Sequence, residues 1–164
     1  MPQVPFDQLP DDARLWVFAA DRDLAAVERD ALASVVDAFL AGWAAHGAPL
    51  TCGRDLRYDR FLLVAVDERS AGVSGCSIDA LTRQLRTLEA RLGLALMDNG
   101  PINFREGNTI RRVARPEFRR LAEAGAVSGA TVVFDNTAAT VGTLREGRWE
   151  STAATTWVGR VFFG

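Results

Sequence analysis

Two short segments of this chain are apolar on both parities, and they constrain its fold more than any other feature. Leu15 to Ala20 (LWVFAA) sets Trp16 and Phe18 against Leu15 and Val17, and Phe61 to Val66 sets Phe61, Leu63 and Ala65 against Leu62, Val64 and Val66. A half-exposed strand alternates apolar with polar residues, whereas a strand apolar at every position is buried on both faces. The chain must therefore build a sheet and cover it twice. The two strands should also be neighbours, because such a strand at an open edge would present hydrophobic surface to water.

The segments around them supply one cover. Leu24, Val27, Ala31, Val35, Phe39 and Trp43 recur at three- and four-residue intervals and predict a helix from Asp23 to about His46, with Gly47 and Pro49 ending it. Leu50 to Arg57 alternates, and Tyr58-Asp59 turns it back into Arg60 to Asp67 as a hairpin. A second helix is predicted from Ser77, its N-cap, to Gly93, its C-cap, with Ile78, Leu81, Leu85, Leu88 and Leu92 as the apolar stripe. Past the turn Asp98-Asn99-Gly100-Pro101 the pattern predicts a hairpin over Ile102 to Arg105 and Thr109 to Ala114 and a short helix from Pro116 to Ala124. Strands are predicted at Thr131 to Phe134 and Thr156 to Phe163.

Strand, helix, strand, strand, helix, strand is the ferredoxin-like split βαβ order, in which two helices cover one face of an antiparallel sheet. The expected fold is thus α+β, with a lead over 1–14, a βαββα core over 15–100 and a smaller β-rich extension over 101–164. The second sheet face is then covered either by that extension or by another polypeptide.

Composition excludes several chemistries. The chain contains no lysine, and its 19 Lys-plus-Arg residues are all arginine. A P-loop ATPase needs the lysine of G-x-x-x-x-G-K-[ST], Schiff-base enzymes need a lysine amine, and protein kinases need their ATP-binding lysine. Gly72 and Gly75 sit in A-G-V-S-G rather than a dinucleotide fingerprint, so no cofactor is expected. A net charge of −2 argues against a general nucleic-acid binder. The opening MPQVPFDQLPDDARL lacks the basic n-region of a signal peptide, and no apolar run approaches the ~20 residues that span a bilayer. With only two cysteines, a reducing cytoplasm is the expected compartment.

Two groups of side chains could carry function. The split βαβ topology gathers His46, Cys52, Asp67, Glu68 and Cys76 at one end of the sheet. There Cys76, just ahead of a helix, would be the reactive thiol, with Cys52 as resolving thiol or second ligand and His46 as base or third ligand. These residues lack any C-x-x-C or H-x-x-H spacing, so no metal site is assigned, and the plainer reading makes both cysteines small buried residues. The second group lies in the last third. Arg105, Arg111, Arg112, Arg115, Arg119 and Arg120 form the one concentrated basic region. Arg112, Arg119, Arg148 and Arg160 accompany Trp149, Trp157, Phe162 and Phe163, the residue types that anchor protein interfaces.

At YDRFLLVAVDE, SGCSID and TVVFDN the chain resembles an uncharacterised family of short bacterial proteins, some of them labelled ABC transporter ATPases. The resemblance implies a shared fold and a shared Cys76 to Asp79 turn, and it brings no catalytic residues. The ATPase label does not carry over, because the chain has neither a Walker lysine nor an LSGGQ-like signature. The expected function is contact rather than catalysis: a non-enzymatic accessory subunit of a bacterial cytoplasmic assembly, binding a protein partner or itself and docking peripherally on a membrane complex. The alternative is a small thiol-dependent or metal-binding protein built on Cys76, Cys52 and His46.

Overall fold

The computed structural model describes residues 3–45, 47–69 and 78–164. It is a mixed α+β structure whose sheets are antiparallel, and the chain divides into two compact units. The first comprises Met1–Met97 with a returning segment, Ala139–Gly142; the second comprises Asp98–Ala138 and Thr143–Gly164.

In the first unit, β1 (Arg14–Ala19), β4 (Thr51–Arg57) and β5 (Phe61–Asp67) form a three-stranded sheet in the order β1-β5-β4. The two doubly apolar segments are therefore adjacent, with Trp16 opposite Val64 and Phe18 opposite Leu62. Helices α1 (Ala26–Ala41) and α2 (Asp79–Leu92) bury Leu32, Val36, Leu40, Leu81, Leu85 and Leu88 in one core with Phe18, Leu62, Val64 and Val66. A two-residue hairpin, β2 (Ala44–Ala45) and β3 (Ala48–Pro49), separates α1 from β4. This strand order matches three of the four strands of a split βαβ sheet. The outer side of β1, where a fourth strand would lie, instead meets the returning segment: the Leu15 amide donates to the Ala139 carbonyl at 2.8 Å.

The opposite sheet face is buried by the chain itself. Leu15, Val17, Ala19, Phe61, Leu63 and Ala65 are each at most 4% exposed. Part of the cover is the N-terminal lead, whose 3-10 turn Phe6–Gln8 lies over β4. Gly53 permits this approach, since a Cβ there would sit 2.7 Å from the Val4 carbonyl oxygen and 3.3 Å from Leu9. The Val4 amide donates to the Cys52 carbonyl at 2.8 Å and fixes the register. The sequence reading left this face to the extension or to another polypeptide; the N-terminal lead, which it did not consider, supplies part of the cover.

The second unit holds a four-stranded sheet, β7-β6-β8-β9, from β6 (Ile102–Glu106), β7 (Thr109–Val113), β8 (Val132–Phe134) and β9 (Glu150–Thr152). The hairpin turn between β6 and β7 uses Gly107 at φ 61°, a left-handed conformation that costs glycine little. Helix α3 (Arg115–Glu123) packs against Ile102, Phe104 and Val133; a short helix, α4 (Val141–Arg145), begins in the returning segment assigned to the first unit and precedes β9. Phe118 centres this core, with ring centroids 5.5 Å from Phe104 and 5.0 Å from Phe162.

Three local expectations are corrected. The tail is not a strand: Thr156 caps a helix, α5 (Trp157–Phe162), by accepting from the Val158 amide at 3.2 Å. Gly159 lets α5 rest on the Ala153–Ala154 backbone, where any Cβ would collide. Helix α1 starts at Ala26 rather than Asp23 and is rotated by one position, so Leu32, Val36 and Leu40 are buried while Val27 is 74% exposed. Both adjacent rows of that helix are apolar, and periodicity alone could not choose between them. Finally, the strand that would complete a ferredoxin-like sheet is not present among the described residues, since β6 belongs to the other unit's sheet.

Candidate functional site

Of the thiol and histidine cluster, the structure places only Cys52. It lies on β4, fully buried, with its Sγ 3.6 Å from the Leu40 carbonyl oxygen. It is packed among core leucines, which suits a small apolar side chain rather than a reactive thiolate. His46 and Cys76 fall outside the described residues, as does the Ser77 cap. Asp67 accepts hydrogen bonds from Arg69, and this neighbour holds its carboxyl below the ordinary value; Glu68 pairs with Arg14 at 3.5 Å. Among the described residues no group of three or more His, Cys, Asp or Glu could hold a metal ion. No helix there is long and apolar enough to cross a membrane.

The candidate contact residues of the last third separate into three environments. Trp149 is 2% exposed, packs against Phe134 with ring centroids 5.1 Å apart and donates its indole N–H to the Asn136 Oδ1 at 2.9 Å; it is core, not an anchor. Arg112 reaches the Asp98 carbonyl, and Arg148 pairs with Glu146. Trp157, Phe162 and Phe163 are half-buried: one side of each joins the core around Phe118 and the rest remains accessible.

That accessible side is where arginines gather. The Arg115 guanidinium lies 4.8 Å over the Trp157 ring, and the Arg119 guanidinium 4.9 Å over Phe162. The pairs are set by α3 and α5: Arg115 and Arg119 are one helical turn apart on α3, and their rings are the first and last residues of α5. Stacking on an aromatic face holds the planar guanidinium in place while leaving its N–H edge outward. Neither arginine has a carboxylate partner among the described residues. Arg120, by contrast, is bound to Glu117. An open groove of about 510 Å3 runs along these residues, lined by Arg115, Pro116, Arg119, Arg120, Glu123, Val161 and Phe162. Val161 is 49% exposed beside it, and three arginines face one glutamate.

A second, smaller pocket of about 180 Å3 opens on the other side of Arg115, with Ile102, Phe134, Trp157 and Val158 as apolar walls and Asn99, Asn136 and Thr137 as polar ones. Sequence reasoning did not single out Asn136 or Thr137. The available signal was Asp135-Asn136-Thr137 directly after a strand: Asp135 accepts from the Thr137 amide at 3.0 Å, a side-chain turn that asparagine and aspartate favour.

No protein-family model matches the chain, and no curated protein or solved structure is similar enough to it to count as a match.

Proposed function

We propose that this protein acts by contact rather than catalysis, as an accessory or interaction subunit, and that its docking surface is the groove along α3 and α5. The occupant we assign is an acidic, partly apolar segment of another protein. The observation that carries this reading is the pair of stacked arginines, Arg115 on Trp157 and Arg119 on Phe162, that have no carboxylate of their own. Other arginines that lie over rings are neutralised: Arg14 over Trp16 pairs with Glu68, Arg57 over Phe6 with Asp55, Arg105 over Phe134 with Glu150. A guanidinium already held over a ring loses less freedom on binding than a free one, and its planar fork suits a carboxylate bidentately. Val161 and the outer edge of Phe162 add the apolar contact that turns charge attraction into a specific interface.

The test is fluorescence anisotropy with two labelled peptides of equal length, one of Glu and Leu and one of Lys and Leu. The acidic peptide should bind, weaken as salt rises from about 0.05 to about 0.5 M, and lose affinity about fivefold or more in Arg119→Gln, since a hydrogen bond to a charged group is removed. Equal binding of the two peptides, or an unchanged Arg119→Gln, would refute the assignment. Light scattering showing a stable dimer that buries this groove would replace the acidic segment with a second copy of the chain.

A further inference from the structure

We infer that the pocket beside Arg115 is a binding site for a small organic monocarboxylate with a flat apolar body. The inference is separate from the docking groove, although Arg115 borders both. Arg115 directs its Nε to the Gly100 carbonyl at 3.2 Å, and its two terminal nitrogens have no partner among the described residues. Asn136 offers a second fixed donor. An indole N–H can only donate, so the Trp149 bond at 2.9 Å requires the Asn136 carbonyl oxygen on that side and leaves the NH2 as its remaining polar group. The pocket therefore presents donors, with no acidic side chain among its lining residues.

Charge and size then select the ligand class. One guanidinium matches one carboxylate in charge and in its planar two-oxygen geometry. A phosphate dianion would keep a second charge unpaired against Ile102, Phe134 and Val158, which disfavours it. A cavity of about 180 Å3 is comparable to the ~150 Å3 that accommodates benzene, so a ring of that size with a carboxylate fits against its apolar walls.

Benzoate is the probe, with benzamide and inorganic phosphate as controls, each titrated at constant ionic strength into the full chain. The readout is NMR: the Asn136 side-chain NH2 and the Trp157 indole N–H. Saturable shifts at both groups are expected with benzoate and about tenfold weaker ones with benzamide, which lacks the charge. Asn136→Asp keeps an acceptor for Trp149 but sets a negative oxygen against the ligand, so it should weaken benzoate about tenfold or more while the thermal midpoint holds. Arg115→Gln, at an exposed position, provides the same loss should Asn136→Asp fail to fold. Benzamide binding as well as benzoate, phosphate binding more tightly than benzoate, no saturation, or wild-type affinity in a folded variant would each overturn the inference. Peptide affinity in Arg119→Gln and benzoate affinity in Asn136→Asp report on different sites, so the two readings fail separately.

Discussion

The two units differ in what some of their arginines meet. In the first, several arginines tie the structure to itself. Arg54 makes a two-pronged contact with Asp37 at 2.8 and 2.9 Å, Arg22 does the same with Glu28, and Arg60 and Arg29 bind Asp23 and Asp59 at the hairpin end. In the second, Arg105, Arg111, Arg120 and Arg148 follow that pattern, but Arg115 and Arg119 lie on aromatic rings without a carboxylate. Charge satisfied inside the chain stabilises a fold only modestly. Charge held in place and left without a counter-charge is available to a ligand, and this difference points to α3 and α5 rather than to the doubly apolar sheet.

The largest effects should separate the two tryptophans of the last third. Trp149→Ala removes a buried ring and its hydrogen bond and should cost about 3–5 kcal/mol in urea unfolding. Trp157→Ala, half-buried, should cost about 1–2 kcal/mol yet abolish acidic-peptide binding. Similar stability losses in both variants, with binding retained in Trp157→Ala, would erase the distinction between core and contact surface. Next in size is Gly159→Ala, which forces α5 off Ala153 and Ala154 and should cost about 1–3 kcal/mol, weakening binding as the rings of α5 shift.

Acid tests the ion pairs of the first unit. Three of its carboxyls are held below their ordinary values: Glu28, lowered to about 2 by Arg22 and the Ala25 amide, Asp37, lowered by Arg54, and Asp67, lowered by Arg69. A depressed carboxylate contributes stability above its unfolded value, and that contribution is lost as pH falls toward the folded value. Amide exchange in β1, β4, β5 and α1 should therefore rise between about pH 4.5 and 2. Protection in those elements that stays unchanged over this range would contradict this. The smallest effect concerns the hairpin, where Tyr58 and Asp59 both adopt positive φ, 58° and 54°. Tyr58→Asn suits that geometry and should raise stability by about 0.5–1 kcal/mol.

The sheet of the first unit was legible because burial on both faces leaves a mark at every position of β1 and β5, and the Gly93 cap at φ 66° ends α2 where the leucine stripe stops. The phase of α1 was not, because Ala31/Leu32, Val35/Val36 and Phe39/Leu40 are apolar pairs. The tail read as a strand because Trp157, Val158, Val161 and Phe162 satisfy both periods; the deciding fact, Gly159 against Ala153, is a contact between neighbouring turns that pattern does not encode. For the site, arginine and aromatic content was visible. Which arginines lack a carboxylate, and that Trp149 is interior, depend on pairings such as Arg105–Glu150 and Trp149–Asn136 that only the fold determines.

The most direct test of the docking surface is a charge swap. Arg115→Glu combined with Arg119→Glu should leave the fold intact, since both side chains are exposed, while reversing the preference measured by anisotropy. The double variant should lose the Glu/Leu peptide by about tenfold or more and gain the Lys/Leu peptide. A double variant that still binds the acidic peptide with wild-type affinity would contradict it.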